Sequence, residues 1–244
     1  MIVDRIGKML YRSSYMLENE NKKYKLAIFD LDGTLLDTSE GIMSSVRYTV
    51  DKKKLRELSE DEIKTFIGPP IQNSFKSKYN MDAEEADDCA AVFRARYSSE
   101  DLFLAKPYEG IYELLEKLKT EKIMCAVATY KREDYAIPLL KKFHFDNYMD
   151  YMYGSDLEGK LLKSDIINKC ISDAGVDKTE VVMIGDTIND EKGALALGVD
   201  FIGVTYGFGY KDSSDMGDDV HNIACVNSPI DVYFTIVKNV EHKK

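Results

Sequence analysis

From Lys25 onward the chain alternates short apolar runs with helical patterns, and that alternation constrains its fold more than any other feature. The runs are "KLAIF", "IMCAVAT", "YMDYMYG", "EVVMIGD", "DFIGVTYG" and "IACVN". The first, Leu26 to Phe29, is continuous rather than alternating in polarity, as expected of a strand buried on both sides. Strands of this kind separated by helices predict an α/β fold, a Rossmann-like parallel sheet core with helices on both faces. Parallel strands bring their C-terminal ends to one edge, where ligands bind. The residues that close these runs are therefore the candidate site.

Between the first two runs, from about Ile42 to Lys106, no strand pattern occurs. "SEDEIKTFIG" pairs Ser59 with Glu62 as a capping box, and "MDAEEADDCAAVFRARYSSEDLF" is a long amphipathic pattern. An interval of roughly 60 helical residues exceeds what one crossover needs. It predicts an inserted α-helical cap domain at 43–105, with the core split between 25–42 and 106–244. Gly41 and the pair Lys106-Pro107 are the expected hinges. Residues 1–24 form an N-terminal extension in which Ile2, Ile6, Met9, Leu10, Ser13 and Leu17 fall at helical spacing. A docking helix and a frayed tail are both compatible with that pattern.

With 244 residues the chain can bury a real core. Its net charge of −10 opposes nucleic-acid backbones and anionic membrane surfaces, so neither is an expected partner. Cys89, Cys125, Cys170 and Cys225 are scattered without a C-x-x-C pair, which fits a reducing compartment and no zinc or redox motif. No run approaches the roughly 20 apolar residues of a membrane span, and the N-terminus lacks a secretion-signal core. A cytoplasmic protein, monomer or homodimer, is expected. His144, His221 and His242 have no metal-ligand spacing.

The run ends carry the chemistry. In "KLAIFDLDGTLLDT" Asp30 and Asp32 lie two apart, so an extended backbone lets them share one volume. In "EVVMIGDTIND" a second buried strand delivers Asp186 and Asp190 to the same edge. Four carboxylates in one cleft need compensation, and Mg²⁺ held by oxygen ligands supplies it. Thr129, which closes "IMCAVAT", is a hydroxyl donor suited to a phosphate oxygen. Lys163, which opens the helical pattern "KSDIINKCISDAG", offers positive charge; Lys160 is the alternative three residues earlier. Taken singly, each of these residues also has an ordinary reading as a turn former, helix cap or strand-end side chain.

Together, "DLDGTLLDT", Thr129, Lys163 and "GDTIND" resemble the four ordered motifs of the haloacid dehalogenase superfamily. "FIGPPIQNSF" and "GALALGVDFIGVTYGFG" resemble its phosphoglycolate phosphatase-like group, which carries a helical cap after the first motif. The likeness spans roughly Lys25 to Val237. It implies a Mg²⁺-dependent phosphatase acting on a small phosphorylated metabolite through an aspartyl-phosphate. By the same resemblance, Asp30 is the nucleophile and Asp32 the general acid and base. Gly33 permits the turn, Thr34 fixes it, and Mg²⁺ is held by Asp30, the Asp32 main-chain carbonyl and Asp186, with Asp190 as a further ligand or holder. Thr129 and Lys163 neutralise the transferring oxygens. The chain departs from many relatives by placing Tyr130 and Lys131, rather than Asn, after the strand-end threonine; both are expected to bind substrate or its phosphate, with a solvated surface charge as the alternative for Lys131. Asp37 and Thr38 are expected to cap the helix beginning near Ser39. A sugar-phosphate mutase on the same scaffold, and a non-catalytic module binding a partner through the extension, are the competing expectations.

Overall fold

The computed structural model describes residues 24–157 and 159–238, so the helix expected within 2–17 lies outside the described residues. In chain order the elements are β1 (Leu26–Phe29), β2 (Leu36–Asp37), α1 (Ser39–Lys52), α2 (Glu60–Lys64), α3 (Ile71–Tyr79), α4 (Ala83–Arg96) and β3 (Lys106–Pro107). There follow α5 (Ile111–Thr120), β4 (Met124–Arg132), α6 (Glu133–Lys142), β5 (Tyr151–Ser155), α7 (Lys163–Ala174) and β6 (Val181–Gly185). The chain continues with α8 (Ile188–Leu195), β7 (Asp200–Val204), β8 (Asn222–Val226) and α9 (Pro229–Lys238).

Six of the strands form one parallel sheet in the order β5-β4-β1-β6-β7-β8. This is the α/β Rossmann-like core that the alternating runs predict. β1 pairs with β4 on one side and β6 on the other, so the strand order reverses at its C-terminal end. Such a switch point opens a crevice at the sheet edge.

The apolar runs are continuous because both sheet faces are covered. Ala27 and Phe29 join a cluster with Leu114 and Leu118 of α5, Leu139 of α6 and Val232 of α9. Leu26 and Ile28 face the other way, against Ile166, Ile167 and Cys170 of α7. The alternation continues through Asp30, which therefore leaves the strand on the α7 side. Cys125 is 2% exposed, and burial pushes its thiol up to about 12. Tyr24, assigned from the sequence to the extension, is instead buried in the core, where its hydroxyl donates to Asp200 Oδ2 at 2.6 Å.

Helices α1 to α4 leave and return through β2 and β3, which pair antiparallel with Leu36 opposite Pro107 and Asp37 opposite Lys106. Ser59 and Glu62 form the capping box read from the sequence at α2, and Asp82 with Glu85 forms another at α4. Phe66 packs edge-on against Phe75 at 5.0 Å. After α4 a π-helical turn, Tyr97–Asp101, carries the chain back toward the core. Gly41 is not in a linker. It sits in the first turn of α1, where its N–H donates to Leu104 O at 3.1 Å and a Cβ would lie 2.3 Å from Asp101 O. It is a glycine because backbone passes there, not because the chain bends.

The strand expected to end at Thr129 runs on to Arg132. Ala128 lies opposite Tyr153 and Arg132 opposite Ser155, so Thr129, Tyr130 and Lys131 together face only Gly154. The surplus residues bulge, and bulges re-aim side chains beside functional sites. Gly154 makes room: a Cβ there would lie 2.6 Å from both Lys131 O and Glu133 Cα. Gly154→Ala is expected to destabilise the fold by about 1–3 kcal/mol, read as a lower urea midpoint with an unchanged slope.

Candidate active site

Three of the four expected carboxylates meet at the switch point, Asp30 and Asp186 directly after β1 and β6 and Asp190 in the first turn of α8. Asp30, Asp186 and Asp190 each offer an oxygen within 4.8 Å of the others, and all three are buried. Lys163, the first residue of α7, bridges two of them, its Nζ 2.6 Å from Asp30 Oδ1 and 2.6 Å from Asp190 Oδ1. Its stem passes Gly193, where a Cβ would stand 2.7 Å from Lys163 Cγ, and its backbone N–H donates to the Tyr130 hydroxyl at 2.9 Å. Tyr130 thus holds the start of α7. Lys160 faces the cleft outside this cluster.

Asp186 is fixed by the segment after β7. Its Oδ2 accepts N–H bonds from Phe208 at 2.7 Å and Gly209 at 3.3 Å. Its Oδ1 is buried with no hydrogen-bond partner among the described residues. Asp190 Oδ2 accepts from the Thr187 N–H and hydroxyl at 3.1 and 2.7 Å. Gly33 adopts φ +83°, and a Cβ would fall 2.2 Å from Asp186 Oδ2, so both the turn and the approach of Asp186 require glycine there. A buried carboxylate oxygen left unpaired beside two more carboxylates costs free energy unless a cation meets it. The all-oxygen donor set fits a hard divalent ion.

Asp32 stands apart from that trio. Its Oδ1 accepts from Lys131 Nζ at 3.0 Å and from the Thr38 hydroxyl at 2.6 Å. Thr38 therefore does not cap α1 with its side chain; Asp37 Oδ1 takes the Ser39 N–H and hydroxyl at 3.0 and 2.6 Å instead. Lys131 is held between Asp32 and the ring of Tyr97, whose centroid is 5.0 Å from Nζ. Thr129 accepts the Lys131 N–H at 3.1 Å, closing the bulge. Thr34 does not fix the turn through its side chain: its buried hydroxyl has no partner among the described residues, and main-chain bonds such as Gly33 N–H to Leu36 O at 2.9 Å hold the turn.

Burial lifts Asp30 to about 7, with Lys163 opposing the shift and Asp190 and Asp32 adding to it. Asp186 is raised well above the usual carboxylate range by burial, then by Asp190 and Asp30. Burial works against charge on Lys163, yet Asp190 and Asp30 outweigh it and raise its pKa; Asp32 and Tyr97 do the same for Lys131.

Two spaces that share several lining residues flank Asp32. An inner chamber of about 30 Å³ is lined by Asp30, Asp32, Thr129, Lys163, Asp190 and Gly68 of the α2–α3 segment. An outer cleft of about 450 Å³ extends from Asp32 between that helical insert and the core. At this volume the inner chamber has room for about one water.

The sequence profile of the haloacid dehalogenase-like hydrolases matches residues 27–204. The chain belongs to that family. It is 34% identical over 203 residues to a 5'-nucleotidase of Pseudomonas aeruginosa, covering 83% of this chain and 92% of that protein. A phosphoglycolate phosphatase of Agrobacterium fabrum is 34% identical over 190 residues, 75% of this chain and 81% of its own. The crystal structure of a predicted phosphatase from Clostridium acetobutylicum superposes with a TM-score of 0.80 at 34% identity, covering 88% and 99% of the two chains. The resemblance read from the motifs is therefore met, and the enzyme class it implied, a phosphatase of this family, agrees with these relatives. No helix among the described residues is long and apolar enough to cross a membrane.

Sequence reasoning missed the amides of Phe208 and Gly209 and the hydroxyls of Thr187 and Thr38. The "GFG" at 207–209 was the available signal, since a Cβ on Gly207 would lie 2.3 Å from Gly33 O.

A pH prediction follows from Asp30. Neutral Asp30 favours the fold below its unfolded value near 4, and that advantage is lost as pH rises through about 7. In chelator, Asp30→Asn is expected to melt higher than the wild type at pH 8, by roughly 1 kcal/mol or more, with the gap closing toward pH 4.

Proposed function

We propose that this phosphatase hydrolyses a small-molecule phosphate monoester in two displacements, with Asp30 as the nucleophile. The support is the buried cluster in which Lys163 bridges Asp30 and Asp190 while Asp186 keeps an unpaired oxygen. Asp30 attacks phosphorus; the Asp30–phosphorus bond forms as the ester bond breaks, and Asp32 gives its proton to the departing oxygen. Water then attacks the aspartyl-phosphate, Asp32 takes the water proton, and Asp30 is released with inorganic phosphate. Splitting the reaction this way needs one group that is first acid and then base, and Asp32 borders both the chamber and the cleft.

Lys163 and the Thr129 hydroxyl, both lining the chamber, stabilise charge on the transferring oxygens. The Tyr130 hydroxyl positions Lys163 by accepting its backbone N–H, and the turn at Gly33, held by main-chain bonds, lies beside the phosphoryl group. Mg²⁺ would be held by Asp30, Asp186 and the Asp32 main-chain carbonyl, with Asp190 as a further holder, and bound there it supplies positive charge to the carboxylates and the phosphoryl group. The helical insert at 43–105 acts as a cap that must open to admit substrate and close to exclude bulk water.

Asp30→Asn is expected to lower phosphate release from p-nitrophenyl phosphate by more than about 10³-fold while the far-UV spectrum is retained. Asp32→Asn should lower it by about 10²- to 10⁴-fold. Turnover by Asp30→Asn at the wild-type rate would defeat the assignment. Calorimetric titration with Mg²⁺ should show binding to the wild type that is lost in Asp186→Asn.

A further inference from the structure

One buried carboxylate has no part in the chemistry above. Glu191 follows Asp190 in the first turn of α8 and is 1% exposed. Successive helical residues point about 100° apart, so Asp190 meets Lys163 whereas Glu191 meets the loop between β7 and β8. Its Oε2 accepts the Tyr210 hydroxyl at 2.6 Å, and its Oε1 accepts the Gly217 N–H at 2.8 Å and the Asn222 side-chain amide at 2.6 Å. All three donors are neutral. A buried carboxylate is costly without such bonds, and charge-assisted bonds this short are strong, so Glu191 holds what it touches.

What it touches is a loop with little structure of its own. Between Val204 and Asn222 the regular structure is a single 3-10 turn, Ser213–Asp215. Glu191 ties this loop at Tyr210, at Gly217 and at Asn222, where β8 begins. A Cβ on Gly217 would lie 2.6 Å from Glu191 Oε1, so that approach needs glycine.

The Tyr210 end of the loop is also the cradle of Asp186. Phe208 and Gly209 donate their N–H groups to Asp186 Oδ2, and the Tyr210 N–H donates to the Asp186 carbonyl at 2.9 Å. Phe208 lies between two glycines, and backbone of that kind does not keep one conformation unaided. A tyrosine secures it on each side: the Tyr206 hydroxyl donates to Thr34 O at 3.2 Å, and the Tyr210 hydroxyl to Glu191. The support of Asp186 therefore ends on Glu191.

We propose that Glu191 is a positioning residue for the cation site: through Tyr210 it fixes the amides that orient Asp186, without itself reaching the ion or the substrate. The inference rests on the assignment of Asp186 as a Mg²⁺ ligand. Ligating carboxylates depend on the hydrogen bonds that aim them, and loss of such partners weakens metal binding by about 10- to 100-fold.

The test measures Mg²⁺ affinity by calorimetry and amide hydrogen exchange at Phe208 and Gly209 in wild type, Tyr210→Phe, Glu191→Leu and Glu191→Gln. Tyr210→Phe removes one hydroxyl, leaves the ring packed edge-on against Phe201 at 6.2 Å and keeps the charge of Glu191, so it decides the matter should Glu191→Leu fail to fold. Tyr210→Phe and Glu191→Leu are expected to weaken Mg²⁺ binding by about 10- to 100-fold and to speed exchange at both amides while the amides of β1 stay protected. Glu191→Gln offers an oxygen to Gly217 and Asn222 and an N–H to the Tyr210 hydroxyl, and should lose less affinity than either. Unchanged Mg²⁺ affinity in Tyr210→Phe, even with a lower melting temperature, overturns the proposal. So does a larger loss in Glu191→Gln than in Tyr210→Phe, which would assign the effect to charge. Should the wild type bind no Mg²⁺, the metal assignment fails and exchange still decides: faster Phe208 and Gly209 amides in Tyr210→Phe support the grip of Glu191 on the cradle, and unchanged amides refute it.

Discussion

The ion bridge from Lys163 to Asp30 and Asp190 is the contact on which the remaining site geometry depends. Two carboxylates, Asp30 directly after β1 and Asp190 in the first turn of α8, and one ammonium are buried there at 2.6 Å, and none would be tolerated in that interior alone. The surrounding backbone is built to permit it. Gly193 lets the lysine stem through, and Tyr130 holds the first N–H of α7. Counting formal charges, Asp30, Asp32, Asp186 and Asp190 outnumber Lys131 and Lys163 by two. A phosphoryl dianion cannot approach such a site at low cost until positive charge is added. The unpaired Oδ1 of Asp186 marks where that deficit is least compensated.

The bulge in β4 links this charge cluster to the cap. Had the strand stayed regular to Thr129, Lys131 would continue the sheet's alternation rather than reach Asp32. Instead Thr129, Tyr130 and Lys131 crowd opposite Gly154, and each meets a different part of the site: the chamber, the start of α7, and Asp32. Lys131 then contacts Tyr97, which belongs to the segment returning from the helical insert. An irregularity of backbone pairing thereby puts the charge cluster and the helical insert in one contact chain.

Much of this was legible in the sequence because it follows from period and order. Continuous apolar runs identified strands covered on both faces, and the Ser59–Glu62 box identified a helix start inside the insert. Asp30, Asp186, Asp190 and Lys163 were legible because strand ends and a helix start converge by topology. Features that depend on loop conformation were not. Thr38 turns its hydroxyl to Asp32 although its position fits a cap equally well, and one-dimensional spacing does not separate the two. Gly41 reads like a hinge because glycine serves both flexibility and close approach, and only the carbonyl of Asp101 beside it decides. The amides that hold Asp186 carry no side-chain signature at all, so only the glycines beside them hinted at the cradle.

The division into a small chamber and a larger cleft has a consequence for how selectivity is set. Asp32 borders both spaces, so on the proposed mechanism the group that departs at Asp32 lies in the outer one. The chamber is lined mainly by core residues, whereas helices of the insert supply Phe93, Arg94 and Tyr97 to the cleft. The chamber and the cleft are thus lined largely by different parts of the chain. Interactions with the leaving group in the cleft strengthen binding without touching phosphorus, and they raise the chemical rate only if closure converts them into better alignment at Asp30. Gly68 lies in the walls of both spaces, so on the proposed mechanism a shift of this one segment of the insert would reshape chamber and cleft together.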